Sequence, residues 1–478
     1  MAYSSPSQRL QTHSHRMLPW RVASGMLVLL SGLSILAVNL VLQGSAPVLL
    51  ILLSAIALLA PLGVLVWASA AQGQPWAVGT MIFGVVFLSD LSLRARAAGD
   101  TGLDAQSLIK FAVWATCFAL LPWAWKHVKG ALRHPTSLAL FLFGIWAIAT
   151  ATYSITPGYT LAAGVAFLGL WCVATDAGAR LTVGQGLAWV LMALAGALAI
   201  SLVLYFVAPD RSMTPMENGR LLRLSGIFGS PNNLGRAAAL AALLVAVNWL
   251  YGIRRWRLLL ALLTLPTAGA CLYLSGSRAS LGGMVAGLYV IAANRWPWPT
   301  FSATCAGMTA GLIALFLPIT FSDLVALLSR SGSASELTTF TGRTEIWAWV
   351  MSAIEREPVL GYGFATTRVL IPEGYQGPYG WTTTSAHNMW LQAWITTGAI
   401  GAVLVILSQL ASLRDMVARP LPARDAVFAF VTVVGLMEAG ALGPSVNLLT
   451  FFWLWAAGLQ QKPPQAPDGS PLSQGGSR

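Results

Sequence analysis

Five histidines occur in the 478-residue chain, and His387 is set apart from the others by its position in Ser385-Ala386-His387-Asn388, after a long polar stretch and directly before an apolar run. An imidazole is the side chain best suited to taking a proton from a hydroxyl near neutral pH. Asn388 is the neighbour that could orient it. Judged alone, a histidine at such a boundary is better read as hydrogen-bonded to a loop carbonyl, so its surroundings decide. Arg223 opens Arg223-Leu-Ser-Gly-Ile-Phe-Gly-Ser-Pro-Asn232-Asn233, Arg278 lies in Ser275-Gly-Ser277-Arg278-Ala-Ser280, and Arg343 begins a stretch of helical periodicity. Guanidinium forks pair bidentately with phosphate oxygens, so arginines meeting at one membrane face suit a diphosphate group. Each could also only snorkel to the headgroups and anchor a helix end. Glu438 and Asp90 fall in or beside apolar runs, where acids are rare and default to functional candidates, with Lys110 and Arg236 as partners or anchors.

The elements that must position these residues are membrane spans. The chain is 56% hydrophobic and 9% charged, with 20 Trp, a composition that excludes an ordinary soluble globule. Apolar runs predict about fourteen spans, at 23–42, 47–69, 76–93, 106–125, 137–155, 158–175, 183–207, 232–252, 258–275, 279–294, 301–320, 387–410, 425–442 and 447–460. The expected fold is all-α, a polytopic helical bundle of 12–14 spans. With the N-terminus inside, Lys126, Lys129 and Arg133, then Arg254, Arg255 and Arg257, then Arg414, Arg419 and Arg424 all fall on the cytoplasmic side. The same assignment puts His13, His15, His127 and His134 inside and leaves His387 outside. It also explains the formal charge of +12 through topology, without nucleic acid.

The organisation expected is a cytoplasmic N-terminus (1–22), N-terminal spans (23–207), a catalytic region (208–410) that includes an outer loop at 321–386, C-terminal spans (411–461) and a disordered tail (462–478). Within the outer loop, Arg343–Arg356 has apolar residues at 346, 347, 350, 353 and 354 and is predicted as an interfacial amphipathic helix, its Trp347 and Trp349 in the headgroup zone. The Pro- and Gly-rich stretch after it predicts an irregular loop rather than another helix. Cys117, Cys172, Cys271 and Cys305 lie in apolar runs and read as small buried hydrophobes. No phosphate-binding loop, GxGxxG turn, HExxH, DxD or nucleophile elbow occurs, so no cofactor and no metal is expected.

Four segments in order resemble the bacterial O-antigen ligase and polymerase superfamily: the Arg223 segment, Ser275-Gly-Ser-Arg-Ala-Ser280, Thr341-Gly-Arg-Thr-Glu-Ile-Trp347 with Pro358-Val-Leu-Gly-Tyr-Gly-Phe364, and Ala386-His-Asn-Met-Trp-Leu-Gln392 followed by Thr397-Gly-Ala-Ile-Gly401. The similarity covers roughly residues 190–410. It implies a glycosyltransferase of the bacterial cytoplasmic membrane that moves a glycan from undecaprenyl diphosphate to an acceptor hydroxyl, on lipid A core or on another glycan, at the periplasmic face. By the same resemblance His387 activates the acceptor, Arg223 and Arg278 bind the diphosphate, and Arg343 either joins them or holds the loop, with Asn388, Asn232, Ser277 and Glu438 supporting. The reaction would be metal-independent and inverting, because a lipid diphosphate is a good leaving group whose charge arginines can offset. A polymerase using the same donor fits these motifs too. A transporter or flippase, the alternative of another class, should show midplane charges on interrupted helices and internal symmetry; here the candidates gather at outer loop edges.

Overall fold

A computed structural model describes residues 63–92, 99–101, 105–216, 221–316, 343–377 and 382–459. The predicted first span at 23–42, the N-terminus and the tail lie outside the described residues. The protein is an all-α polytopic bundle. Its helices are α1 (Pro75–Ser89), α2 (Ala105–Ala119), α3 (Leu121–Ala131), α4 (Pro135–Ala149), α5 (Pro157–Arg180), α6 (Val183–Val207), α7 (Pro231–Tyr251), α8 (Arg254–Ser275), α9 (Arg278–Arg295), α10 (Pro297–Phe316), α11 (Arg343–Arg356), α12 (Thr367–Gly374), α13 (Met389–Ala418), α14 (Pro422–Met437) and α15 (Leu448–Leu459). Pro75, Pro135, Pro157, Pro231 and Pro422 open helices, where the missing N–H costs nothing. Thr182 and Gln185 cap α6 reciprocally.

Six helices among the described residues are long and apolar enough to cross a membrane: Pro135–Thr152, α5, α6, α7, Trp256–Ser275 and α13. The most enclosed is α5, and α15, though short, is buried along its whole length. These two meet backbone to backbone. A Cβ on Gly178 would lie 2.4 Å from Gly458 O, and one on Gly458 would lie 2.5 Å from Ala174 O, the close approach that small residues permit between membrane helices. By contrast α8 turns Leu258, Leu259, Leu262 and Leu263 outward, as a lipid-facing helix does.

The bundle has two chemically different ends. Near the C-terminus of α5, Asp176 Oδ1 accepts from Arg180 Nε at 2.7 Å and pairs with His127 Nδ1 at 2.8 Å, so the α3 basic segment gathers there. Close by, Arg257 Nε donates to Gly252 O at 2.8 Å beside the start of α6. The opposite ends of α5 and α7, at Pro157 and Asn232, border a polar cavity.

Several expectations are corrected. The run at 106–125 is two helices, because Pro122 cannot extend the ladder of the first. A small antiparallel hairpin, β1 (Met213–Met216) with β2 (Leu221–Leu224), precedes α7 and pairs Thr214 with Arg223. The stretch after α11 is not wholly irregular, since α12 forms despite Pro372. The carbonyl of Arg368, which Pro372 cannot satisfy, accepts instead from Gly99 N at 3.0 Å. Cys305 is exposed, on a helix with an outward apolar face, while the other three cysteines are buried. The helix at Arg343–Arg356 has the predicted bounds, but its apolar face packs on the loop. Ile346, Val350, Ala353 and Ile354 cluster with Ile371, Tyr375, Ala386 and Ile395. Trp347 Nε1 donates to Ala386 O at 2.9 Å and Trp349 packs on Tyr375, so both indoles contact this cluster.

Candidate active site at the cavity end of the bundle

His387 stands at a tightly prepared backbone position. Its φ is +49°, in the left-handed region that costs a residue with a Cβ about 1–2 kcal/mol. Both neighbours are fastened. Ala386 N donates to Gln392 Oε1 at 2.9 Å, Ala386 O accepts from Trp347, and Asn388 Oδ1 accepts from Trp390 N and Leu391 N at 3.0 Å as the N-cap of α13. Asn388 therefore positions His387 through the chain and not through the ring. Gln392, whose Nε2 donates to Thr367 Oγ1 at 2.6 Å, had no role assigned from sequence. Its spacing within Ala386–Gln392 is the signal that marks it.

The imidazole is held from both sides. Nδ1 lies 3.2 Å from Glu438 Oε2 and Nε2 lies 3.0 Å from Thr383 Oγ1. Glu438 follows the last turn of α14, at extended backbone angles, rather than sitting within a span. The chain leaves the helix there, which turns the carboxylate toward α7 and α11. Its Oε1 accepts from Arg343 Nη2 at 2.8 Å and Asn232 Nδ2 at 2.9 Å. Burial alone would raise the pKa of Glu438. The hydrogen bond and charge of His387, with the charges of Arg343 and Arg236, outweigh it and hold the group at about 2. In the neutral imidazole, an ionised Glu438 makes Nδ1 the donor and leaves the lone pair on Nε2, the nitrogen able to act as base.

The sequence candidates separate into roles. Arg223, buried, donates from Nη2 to Asn232 Oδ1 at 2.9 Å and from Nε to Ser275 O at 2.6 Å. It thereby ties β2 and the α8–α9 turn to the residue that supports Glu438. Arg278 opens α9 and is exposed; Ser277 beside it is buried, its Oγ 2.8 Å from Ser280 Oγ. Gly235 lets this turn close on α7, since a Cβ there would lie 2.4 Å from Ser277 Cβ. Arg343 pairs with Glu438. None of these three arginines lines the cavity of about 1070 Å³ beside His387. Its charged lining is instead Asp90, Lys110, Arg236, Arg368 and Glu438, with Trp114, Tyr159 and Phe228 among its rings.

Two of the sequence motifs turn out to be each other's partners. Helix α13 kinks at Gly398 (φ +64°, ψ −170°), and the segment from Pro358 to Gly363 docks into the kink. Tyr362 N donates to Ile395 O at 3.1 Å, Gly363 N to Thr396 O at 2.8 Å, and Ala399 N to Pro358 O at 2.9 Å. A Cβ on Gly398 would lie 2.0 Å from Val359 O.

The all-α bundle with spans long enough to cross a membrane and a polar cavity at one end defines the class, a multi-pass membrane protein. Residues 263–406 match the family model described as O-antigen ligase, so this segment is similar to that family. The matched residues include Arg278, Arg343 and His387, whereas Arg223, Asn232 and Glu438 lie outside them. Comparison with curated proteins finds no match.

Proposed function

We propose that the protein transfers a glycan from undecaprenyl diphosphate to an acceptor hydroxyl at the periplasmic face of the bacterial cytoplasmic membrane, with His387 as general base. The observation that carries this reading is the fixed imidazole. Glu438 accepts from Nδ1, and Nε2 points to the hydroxyl of Thr383, at the place an acceptor hydroxyl would take. Proton transfer to Nε2 as that hydroxyl attacks the anomeric carbon gives an imidazolium, which Glu438 stabilises directly. Attack opposite the diphosphate inverts the anomeric configuration. Cationic side chains offset the charge that grows on the leaving group, so the step is metal-independent. Arg278 is the arginine assigned to the diphosphate by the family resemblance, with Arg223 supporting the site through Asn232.

The test is transfer by purified protein from a synthetic lipid-diphosphate glycan to a hydroxyl acceptor. New glycosidic product is expected from wild type and none from His387→Ala. Transport of the donor without product would replace this reading with that of a flippase.

A further inference from the structure

The cavity carries a cationic wall, in which the charge of Arg236 also bears on Glu438. Arg236 is the centre of it. The side chain is 8% exposed, and a guanidinium offers five N–H donors. Among the described residues it makes one hydrogen bond, to Asn233 Oδ1, and its Nε is buried without a partner. A buried charge this poorly satisfied is expensive unless something else completes its shell. Two further cations reach the same cavity from other elements. Lys110 of α2, whose Nζ donates to Ser89 O at 3.1 Å, and Arg368 of α12, whose Nε donates to Asp100 O at 2.7 Å, both line it. The first turn of α7 lines it as well, through Asn232 and Asn233, and Ser230 makes no side-chain capping bond there. The positive end of that helix dipole adds to the field. The opposing carboxylates are Glu438, already paired with Arg343, and Asp90, whose Oδ1 accepts from Leu448 N.

We propose that Arg236, Lys110 and Arg368, with the N-terminus of α7, form an anion subsite in the cavity that takes a phosphate group of a substrate. The proposal rests on the transferase reading only in taking the cavity as the place where substrates meet. Arg236 is the deep contact, on the face of α7 that also presents Asn232, and so lies on the Glu438 side of the cavity. A phosphate there shares the cavity with the base, which fits either the diphosphate of the donor or a phosphate carried by the acceptor.

Binding of inorganic diphosphate to the full-length protein in detergent, measured by titration calorimetry, tests this without turnover. Wild type is expected to bind. Arg236→Gln should lose roughly ten- to a hundredfold in affinity, the value of a charge-assisted hydrogen bond, and Lys110→Met should lose a comparable amount. Arg236→Lys should recover most of the binding, which separates lost charge from lost fold. Failure of wild type to bind, or wild-type affinity in Arg236→Gln, overturns the subsite. Displacement by farnesyl diphosphate but not by glucose 6-phosphate assigns it to the donor, and the reverse assigns it to the acceptor; both support it. Intact diphosphate binding in a protein that makes no glycosidic product would overturn the transferase reading and leave the subsite standing.

Discussion

The nitrogen that carries the lone pair of a neutral His387 is chosen by Glu438, so under the proposed mechanism the two residues should fail differently. His387→Ala removes the base, and transfer should disappear while membrane insertion, followed by detergent-extracted yield, stays at wild-type level. Wild-type activity in that variant would end its catalytic role. Glu438→Gln keeps the base but releases its tautomer and leaves Arg343 without a charge partner. Its kcat should fall by roughly 10²- to 10⁴-fold, the usual worth of a positioned acid–base pair, with KM changed far less. The same variant has a signature in stability. The pKa of Glu438 is about 2 in the folded protein against an ordinary 4.5, so the native state favours the ionised form. That contribution is complete above the ordinary value and is lost as pH falls toward about 2. The melting temperature of wild type should exceed that of Glu438→Gln at pH 5 and above and converge on it only as the pH falls from the ordinary 4.5 toward about 2. Convergence already between pH 7 and 5 would contradict the ionised cluster.

At the scale of elements, the loop and α13 are one device. The Gly398 kink receives the Pro358–Gly363 segment, and Ala386, Asn388 and Gln392 then fix His387, where the chain turns left-handed. Gly398→Ala places a Cβ against Val359 O in backbone angles open in practice to glycine only, and should lower stability by about 3 kcal/mol, read as a fall in melting temperature. Unchanged melting would mean that the kink is not held by this contact. The helices and their periodicity were legible in the sequence: Val183–Val207 and Arg343–Arg356 have their predicted bounds. So was His387, through its setting. Glu438 was legible as an unusual acid but not as the partner of His387, because 51 residues separate them and only the end of α14 brings them together. The docking of one motif into the kink of another was likewise hidden, since it is made by backbone groups, which every residue type carries. Arg236 read as a partner of a membrane acid or as a helix-end anchor, and its place in the cavity was hidden for a related reason. Sequence shows which arginines stand near small residues, not which guanidiniums are left short of partners.

The whole molecule is polarised along the helix axes. Starting from the cavity, α5 runs 24 residues to Asp176 and Arg180, about 36 Å at 1.5 Å per residue, which is enough to cross the hydrocarbon core. Basic residues of α3 and the α7–α8 turn collect at the far end, where His127 and Arg257 make their contacts. Positive charge is retained on the cytoplasmic side of short connections, so this asymmetry predicts that the cavity faces outward, which is the orientation the proposed function requires. Single cysteines in a background whose four native cysteines are serine put this to the test. Thr384 lines the cavity and Lys129 is exposed on α3. A membrane-impermeant maleimide added to intact spheroplasts should label Thr384→Cys, and should label Lys129→Cys only after the membrane is permeabilised. The opposite pattern would invert the bundle and place His387 where no exported glycan could reach it.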